Sequence, residues 1–314
     1  MKKIIKFIIL KLKLFLSISE SSNEIHKLAL GKINSRINNL KIINKIEDIE
    51  FKIFSQFGDD GIIQYIVDKL DLDYQYQNFI EFGVEDYEEA NTKFLLLNNN
   101  WSGLILDSSK KNIEKIKKNF FFWKFDLDAV HCFVTKENIN SIIAESEINK
   151  NKIGILSIDI DGNDYWIWKE INIVDPLIVI IEFNSTFGFE KKISVPYKKD
   201  FDRSKEHYSN LYWGASLEGL KYLAKQKGYK FFTTNSSGNN AYFIKENIFD
   251  KLELKLKKNT FHSKFRESRD KYGKKNFIKY DDRVKHIGHM EVVDVETNKL
   301  FKILRANFFA IKSI

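Results

Sequence analysis

The stretch FIEFG (79–83), with GLILD (103–107) after it, decides the fold. Each is a short apolar run that stops at a glycine or an acid, the length of one strand rather than of a helix. Between them, Tyr87 to Asn98 turns Phe94, Leu95 and Leu97 to one side and is predicted as a helix. The alternation continues outward. Upstream, Gly61 to Leu70 has the spacing of an amphipathic helix. Downstream, Ser108 or Ser109 caps a helix over Lys110 to Asn119, a third strand falls within Phe120 to Val134, and a helix opens at Thr135 and runs to about Ile148. Ile153 to Ile160 is a fourth strand, Asp164 to Ile171 a short helix, and Leu177 to Phe183 a fifth strand rich in β-branched residues. Trp213 to Lys227 reads as a helix closed by Gly228. Tyr229 to Thr233 and Ala241 to Ile244 are two last strands around the turn Ser236-Ser237-Gly238. Apolar runs this continuous suit a parallel sheet covered on both faces. The expected fold is therefore α/β: a doubly wound, mostly parallel seven-stranded sheet with an antiparallel last strand.

At 314 residues, with 43% hydrophobic and 14% aromatic residues, the chain has the material for one large core and is not a disordered, charge-rich sequence. Its expected organisation is a basic amphipathic helical extension over 1–50, an α/β domain over 51–248, and a lysine-rich C-terminal extension over 249–314 packed on that domain. The net charge of +8 is spread along the whole length among Ile and Asn residues, so it points weakly to nucleic acid. The single cysteine, Cys132, rules out an intramolecular disulfide and a cysteine zinc cluster, and fits a reducing, cytoplasmic setting. In the opening MKKIIKFIILKLKLFLSIS, Lys6, Lys11 and Lys13 break the apolar run, leaving it too short and too charged for a membrane span. Residues 1–19 are expected to pack on the domain or a partner, or else to lie peripherally at the inner face of the membrane.

A strand that enters a turn at Gly83, followed by a helix and then by an acid at the end of the next strand, is the arrangement of a Rossmann-like nucleotide site. The glycine lets backbone approach the ligand, and the carboxylate of Asp107 accepts from ribose hydroxyls. A dinucleotide would need a glycine-rich turn and would shun negative neighbours. Here there is one glycine, and Glu81, Glu85, Asp86, Glu88 and Glu89 surround it. Such a loop favours a cationic sulfonium over a diphosphate, and so S-adenosylmethionine (SAM) over NAD.

From about Ser55 to Ile244 the sequence resembles the class I SAM-dependent methyltransferases, especially the bacterial FkbM-type branch. The resemblance rests on SQFGDDGIIQYI, FIEFGVEDYEEANT, WSGLILDSS, LSIDIDGNDYWIWKEI, VIIEFN and WGASLEGLKYLAKQKGYKFFTTNSSGNNAYFI. The first glycine-bearing motif of that fold usually holds two or three glycines, whereas only Gly83 is present here. The resemblance implies that Glu81, Gly83, Asn91 and Thr92 line the methionine side of the cofactor and Asp107 its ribose. Asp128 and Thr135 are implied on the adenine side. It also implies O-methylation of a sugar or other small hydroxyl acceptor in glycan or surface-polysaccharide biosynthesis.

The other end of the expected cleft is acidic too. In LSIDIDGND, Ser157, Asp159 and Asp161 alternate and so share one face of the fourth strand, with Gly162 permitting a sharp exit. Glu182 and Asn184 stand at the end of the fifth strand in the same relation. With neighbouring strands about 5 Å apart, these side chains converge where the transferred methyl would lie. Asp161 with Glu182 and Asn184 can hold a hard cation such as Mg²⁺, or Asp161 or Asp159 can act as a general base. An EF-hand is excluded, since its twelfth position is Trp168 and the loop would start inside an apolar strand. His207, in the polar stretch Thr186 to Tyr212 where acceptor lids form in this fold, is a third candidate for the proton transfer. Two other functions compete. A nucleic-acid methyltransferase would show an Asn/Asp-Pro-Pro-aromatic loop after the fifth strand, where this chain has Glu182-Phe-Asn-Ser. A non-catalytic membrane- or glycan-associated binding protein would have no use for an intact cofactor cleft.

Overall fold

In the computed structural model, residues 23–119, 122–252, 256, 261–263 and 267–305 are described. Residues 1–19 lie outside them, and so does the peripheral-membrane expectation. Among the described residues, no helix is long and apolar enough to cross a membrane.

Helix α1 covers 23–40, and α2 (Asp59–Leu70) follows it. Five parallel strands come next: β1 (Asn78–Phe82), β2 (Ser102–Asp107), β3 (Leu127–His131), β4 (Ile155–Ile158) and β5 (Ile178–Glu182). The helices between them are α3 (Lys93–Asn99), α4 (Lys110–Lys118), α5 (Ile139–Glu145) and α6 (Asp164–Glu170). A long segment after β5 contains β6 (Ile193–Ser194) and α7 (Arg203–Glu206). Helix α8 (Leu217–Gln226) leads into β7 (Tyr229–Thr234) and β8 (Asn240–Lys245).

The seven-stranded sheet runs β3-β2-β1-β4-β5-β8-β7. Its antiparallel member, β8, is the last of the seven in the chain and is lodged between β5 and β7. The order reverses at β1, which has β2 on one side and β4 on the other; ligands of doubly wound sheets bind outside the carboxyl ends of the strands at such a point.

Strand parity separates the two faces. Ile80, Phe82, Leu104, Leu106, Leu156, Ile158, Val179 and Ile181 pack into one core, while Phe79, Ile105, Ile155, Ile178 and Ile180 pack into the other with α2 and α3. By the same parity Glu81, Asp107, Ser157 and Glu182 stand on the second face, at the carboxyl ends of their strands.

Three sequence expectations change. The helix read over Tyr87 to Asn98 begins only at Lys93. Residues before it form a loop with left-handed backbone at Glu85 and Tyr87, in which Asp107 takes up the amide of Glu85 and Glu81 those of Asn91 and Thr92 in place of a helix ladder. β4 stops at Ile158, so Asp159 and Asp161 belong to the loop beyond it. Asp161 itself has φ +57°, which ends the alternation assumed for it. Finally, the segment after β5 and the chain beyond 267 build a second, three-stranded sheet, β10-β9-β6. Its strands β9 (Glu291–Asp294) and β10 (Leu300–Lys302) follow helix α9 (Tyr280–Ile287). Trp213, Leu211, Val284, Ile287 and Val292 fill the core beneath it.

Candidate active site

A cleft of about 470 Å³ opens at the switch point. Gly83 fixes its floor. The residue has φ +74°, and a Cβ there would sit 1.6 Å from the carbonyl oxygen of Asp159. The exit of β1 thus lies directly on the exit of β4, and only glycine fits. The Gly83 amide donates to Leu106 O at 2.9 Å, which ties the same point to β2.

On the β1–β2 side the acids are occupied. Buried Glu81 accepts from the amides of Asn91 (2.8 Å) and Thr92 (3.1 Å) and from the Thr92 hydroxyl. Burial pushes its carboxyl up, and these three donors oppose the shift. Asp107 accepts from the amides of Glu85 (2.9 Å) and Ser109 (2.7 Å) and from Asn112 Nδ2 (3.3 Å). Gly83 and Asp107 are therefore brought together through the Glu85 amide. The Asn91 amide group donates to Ser157 Oγ at 3.1 Å, linking this loop to β4. Of the five acids the sequence placed around Gly83, Asp86 pairs with Lys115, Glu88 lies near Lys93 and Lys115, and Glu89 pairs with Lys52. Glu85 faces the cleft, and burial and the neighbouring charges of Asp86, Asp107 and Asp161 raise its pKa.

On the β4–β5 side, Asp159, Asp161 and Glu182 each bring an oxygen within 4.8 Å of the others. Glu182 is 6% exposed, and among the described residues no hydrogen-bond partner reaches its Oε2. Burial first, and then the charges of neighbouring carboxylates (Asp161 and Asp164 for Asp159, Asp159 and Asp161 for Glu182), drive both carboxyls well above the ordinary carboxylate range, while a hydrogen bond with Glu182 opposes the rise at Asp159. Arg203, at the start of α7, forms an ion pair with Asp161 and donates to Asn210 O at 3.1 Å. Its guanidinium lies 5.0 Å from the centre of the Trp213 ring. Glu267, from the chain after β8, completes the wall and pairs with the buried Arg283.

Glu81, Gly83, Asn91, Asp107, Asp159, Asp161 and Glu182 all line the cleft. Five other candidates do not. Thr92 is buried behind it as the partner of Glu81. Asp128 is the second residue of β3, at the end of the strand away from the carboxyl edge. Thr135 is buried in the turn before α5, where its amide donates to Asn138. Asn184 has its amide on the carbonyls of Leu211 and Trp213 and its oxygen on the Thr186 amide, which leaves it a brace for the following segment rather than a cation ligand. His207 is 6% exposed, stacks on Tyr208 at 4.4 Å, faces His289 at 5.4 Å and shares a hydrogen bond with Ser209 at 2.7 Å. Burial and the neighbouring histidines lower its pKa, and it turns away from the cleft because α7 presents Arg203 there instead.

Arg203 and Glu267 were missed. Only six of the 51 cationic residues are arginine, and in so lysine-rich a chain an arginine in the expected lid marks a place that needs a planar, multidentate donor. Glu267 had no comparable signal, since nothing in its local sequence ties it to the sheet.

Among solved structures, the chain is similar to the N-terminal domain of EvdMO1 with SAH bound, at 11% identity over 68% of this chain and 94% of that one, with a TM-score of 0.40. It is also similar to the O-methyltransferase from Bacillus cereus in complex with SAH, at 11% identity over 70% and 91%, with a TM-score of 0.40. A SAM-dependent methyltransferase from Aquifex aeolicus matches at 9% identity over 57% and 87%, with a TM-score of 0.34. These likenesses are distant. No curated protein is a significant sequence match. The model of the FkbM methyltransferase domain matches residues 64–231, just over half of the chain. That span carries Glu81, Gly83, Asp107, the β4–β5 acids and Arg203, and leaves Glu267 outside. By this match, the chain belongs to the FkbM methyltransferase domain family.

Proposed function

We propose that the protein transfers a methyl group from SAM to a hydroxyl of a small acceptor, most simply a sugar in glycan or surface-polysaccharide biosynthesis. One observation carries the donor. Eight carboxylates line the cleft (Glu81, Glu85, Glu89, Asp107, Asp159, Asp161, Glu182 and Glu267), against the single guanidinium of Arg203, in a chain whose net charge is +8. A cleft so opposed in sign to the whole molecule is built for a cation and repels a diphosphate.

When bound, SAM supplies a methyl group on a sulfonium, ready for in-line displacement. The protein's share is alignment and proton removal. Glu81 and Asp107 fix the loop around Gly83, and Asp107, which lines the cleft, would meet the ribose. Asp159 and Glu182, whose carboxyls burial raises, are the bases for the proton of an acceptor hydroxyl when ionised. Alternatively, Mg²⁺ on the same edge would acidify that hydroxyl. Its ligands would be Asp159, Asp161 and Glu182, with Asn184 dropped from the set. The family membership supports methyl transfer, and the polar, carboxylate-rich walls suit a polyhydroxylated acceptor. The lone cysteine fits a cytoplasmic location, and residues 1–19 would seat the protein against the inner membrane where such glycans are assembled.

Calorimetric titration with S-adenosylhomocysteine tests the reading. Binding is expected in the wild type and should weaken at least tenfold in Asp107→Ala. Absence of heat at high protein concentration would favour a non-catalytic binding protein.

A further inference from the structure

Glu81 and Asp107, in the β1–β2 half of the cleft, each accept three hydrogen bonds, whereas in the β4–β5 half Glu182 keeps an oxygen without a donor among the described residues. Asp159, Asp161 and Glu182 gather oxygens within 4.8 Å of one another, and Glu182 Oε2 is buried in that cluster with no hydrogen-bond partner among the described residues. The cation that lines this edge, Arg203, is engaged with Asp161. Three carboxylates converge on one guanidinium, and a buried oxygen without a donor is stabilised by a positive partner.

We propose that Asp159, Asp161 and Glu182 form a site for a hard divalent cation and that Arg203 stands in for that ion on Asp161 until it arrives. The ligands are all oxygens, which selects ions such as Mg²⁺ and Mn²⁺ over softer metals. Octahedral ligands at about 2.1 Å from the ion lie about 3.0 Å apart when adjacent and about 4.2 Å when opposed. A cluster that spans up to 4.8 Å must therefore tighten around the ion, and Asp161, to give an oxygen to it, leaves the guanidinium. Arg203 opens α7 and is anchored to Asn210 O and over Trp213, so loading the ion and releasing this part of the segment after β5 are one event. The purpose of the site rests on the methyl-transfer reading; its geometry does not.

The test uses chelator-treated full-length protein titrated with Mn²⁺, read by paramagnetic resonance and calorimetry, with S-adenosylhomocysteine titrated separately into the same samples. One Mn²⁺ per chain is expected, displaced by excess Mg²⁺, bound at least tenfold more weakly by Asp161→Asn and several-fold more tightly by Arg203→Met. Asp161 is exposed, so its variant keeps the fold; Glu182→Gln adds a second loss where its circular dichroism matches wild type. No saturable Mn²⁺ binding in a sample that still gives heat with S-adenosylhomocysteine overturns the cation site and leaves methyl transfer standing. Mn²⁺ binding indifferent to Asp161→Asn also overturns the site, and unchanged affinity in Arg203→Met overturns the stand-in role. Mn²⁺ binding without any S-adenosylhomocysteine heat supports the site and removes the methyl-transfer reading.

Discussion

Four carboxylates line each half of the cleft: Glu81, Glu85, Glu89 and Asp107 toward β1 and β2, and Asp159, Asp161, Glu182 and Glu267 toward β4, β5 and the later chain. Glu81 and Asp107 accept three hydrogen bonds each, five of the six from residues of the two loops they fix. At the other edge burial and neighbouring carboxylates raise Asp159 and Glu182 well above the ordinary range, and Glu182 Oε2 has no hydrogen-bond partner among the described residues. The same residue type thus does two jobs. Glu81 and Asp107 are satisfied by donors and hold loops in place, and Asp159 and Glu182 carry perturbed pKa values of the kind that concentrate at reactive sites.

Four changes break or sharpen that contrast. The largest effect is expected from Gly83→Ala, which drives a methyl group into the Asp159 carbonyl where the two halves touch. It should destabilise the fold by about 3 kcal/mol or more and abolish S-adenosylhomocysteine binding. Urea unfolding that matches wild type would mean that the halves are not held by this contact. Next is Glu182→Gln, for which turnover should fall about 10²-fold while S-adenosylhomocysteine affinity stays within about threefold. In wild type the unprotonated form is the base, so activity should be lost as pH falls through the raised apparent pKa of the pair, above the usual carboxylate range; an acid limb near pH 4 would count against it.

Each half also rests on a buried acid raised to about 6 by desolvation: Asp60 beneath the β1 side, which accepts the amides of Ile53, Phe54 and Ser55, and Asp164 beneath the β4 side, which accepts those of Ile160 and Gly162. Folding favours the neutral form of both. Their stabilisation is complete below the ordinary aspartate pKa and is lost as pH rises through about 6. Chemical denaturation should show stability falling between pH 4 and 6, with about 2 kcal/mol less of that fall in Asp164→Asn. The smallest effect is expected from His207→Ala: about 1 kcal/mol of stability from the Ser209 hydrogen bond and turnover within about threefold, since the ring faces Tyr208 and His289. A 10²-fold loss of turnover would return it to the site.

The parallel strands were legible because both faces of the sheet are covered, which writes each strand as an unbroken apolar run such as Ile178–Glu182. The loop after Gly83 was not, because its amides are bound by Glu81 and Asp107 from two different strands, and local spacing carries no trace of that. Strands as short as Ile193–Ser194 leave no period to detect. In the site, the acids at strand ends could be read from position alone. Asp159 replaced Asn184 in the acidic cluster because Asn184 turned to brace backbone carbonyls, a choice made by tertiary neighbours. Arg203 and Glu267 reach the cleft from segments far from any strand end, so only the folded chain brings them there.

The pairing of β6 with β9 sets an order of assembly. The seven-stranded sheet has all its strands once synthesis passes Lys245, whereas β6 waits for a partner that emerges about fifty residues later, at Glu291 to Asp294. On a chain that folds as it leaves the ribosome, the cleft edge at Gly83 and Asp107 is therefore formed first, and the wall bearing Glu267 closes only after β9 has emerged.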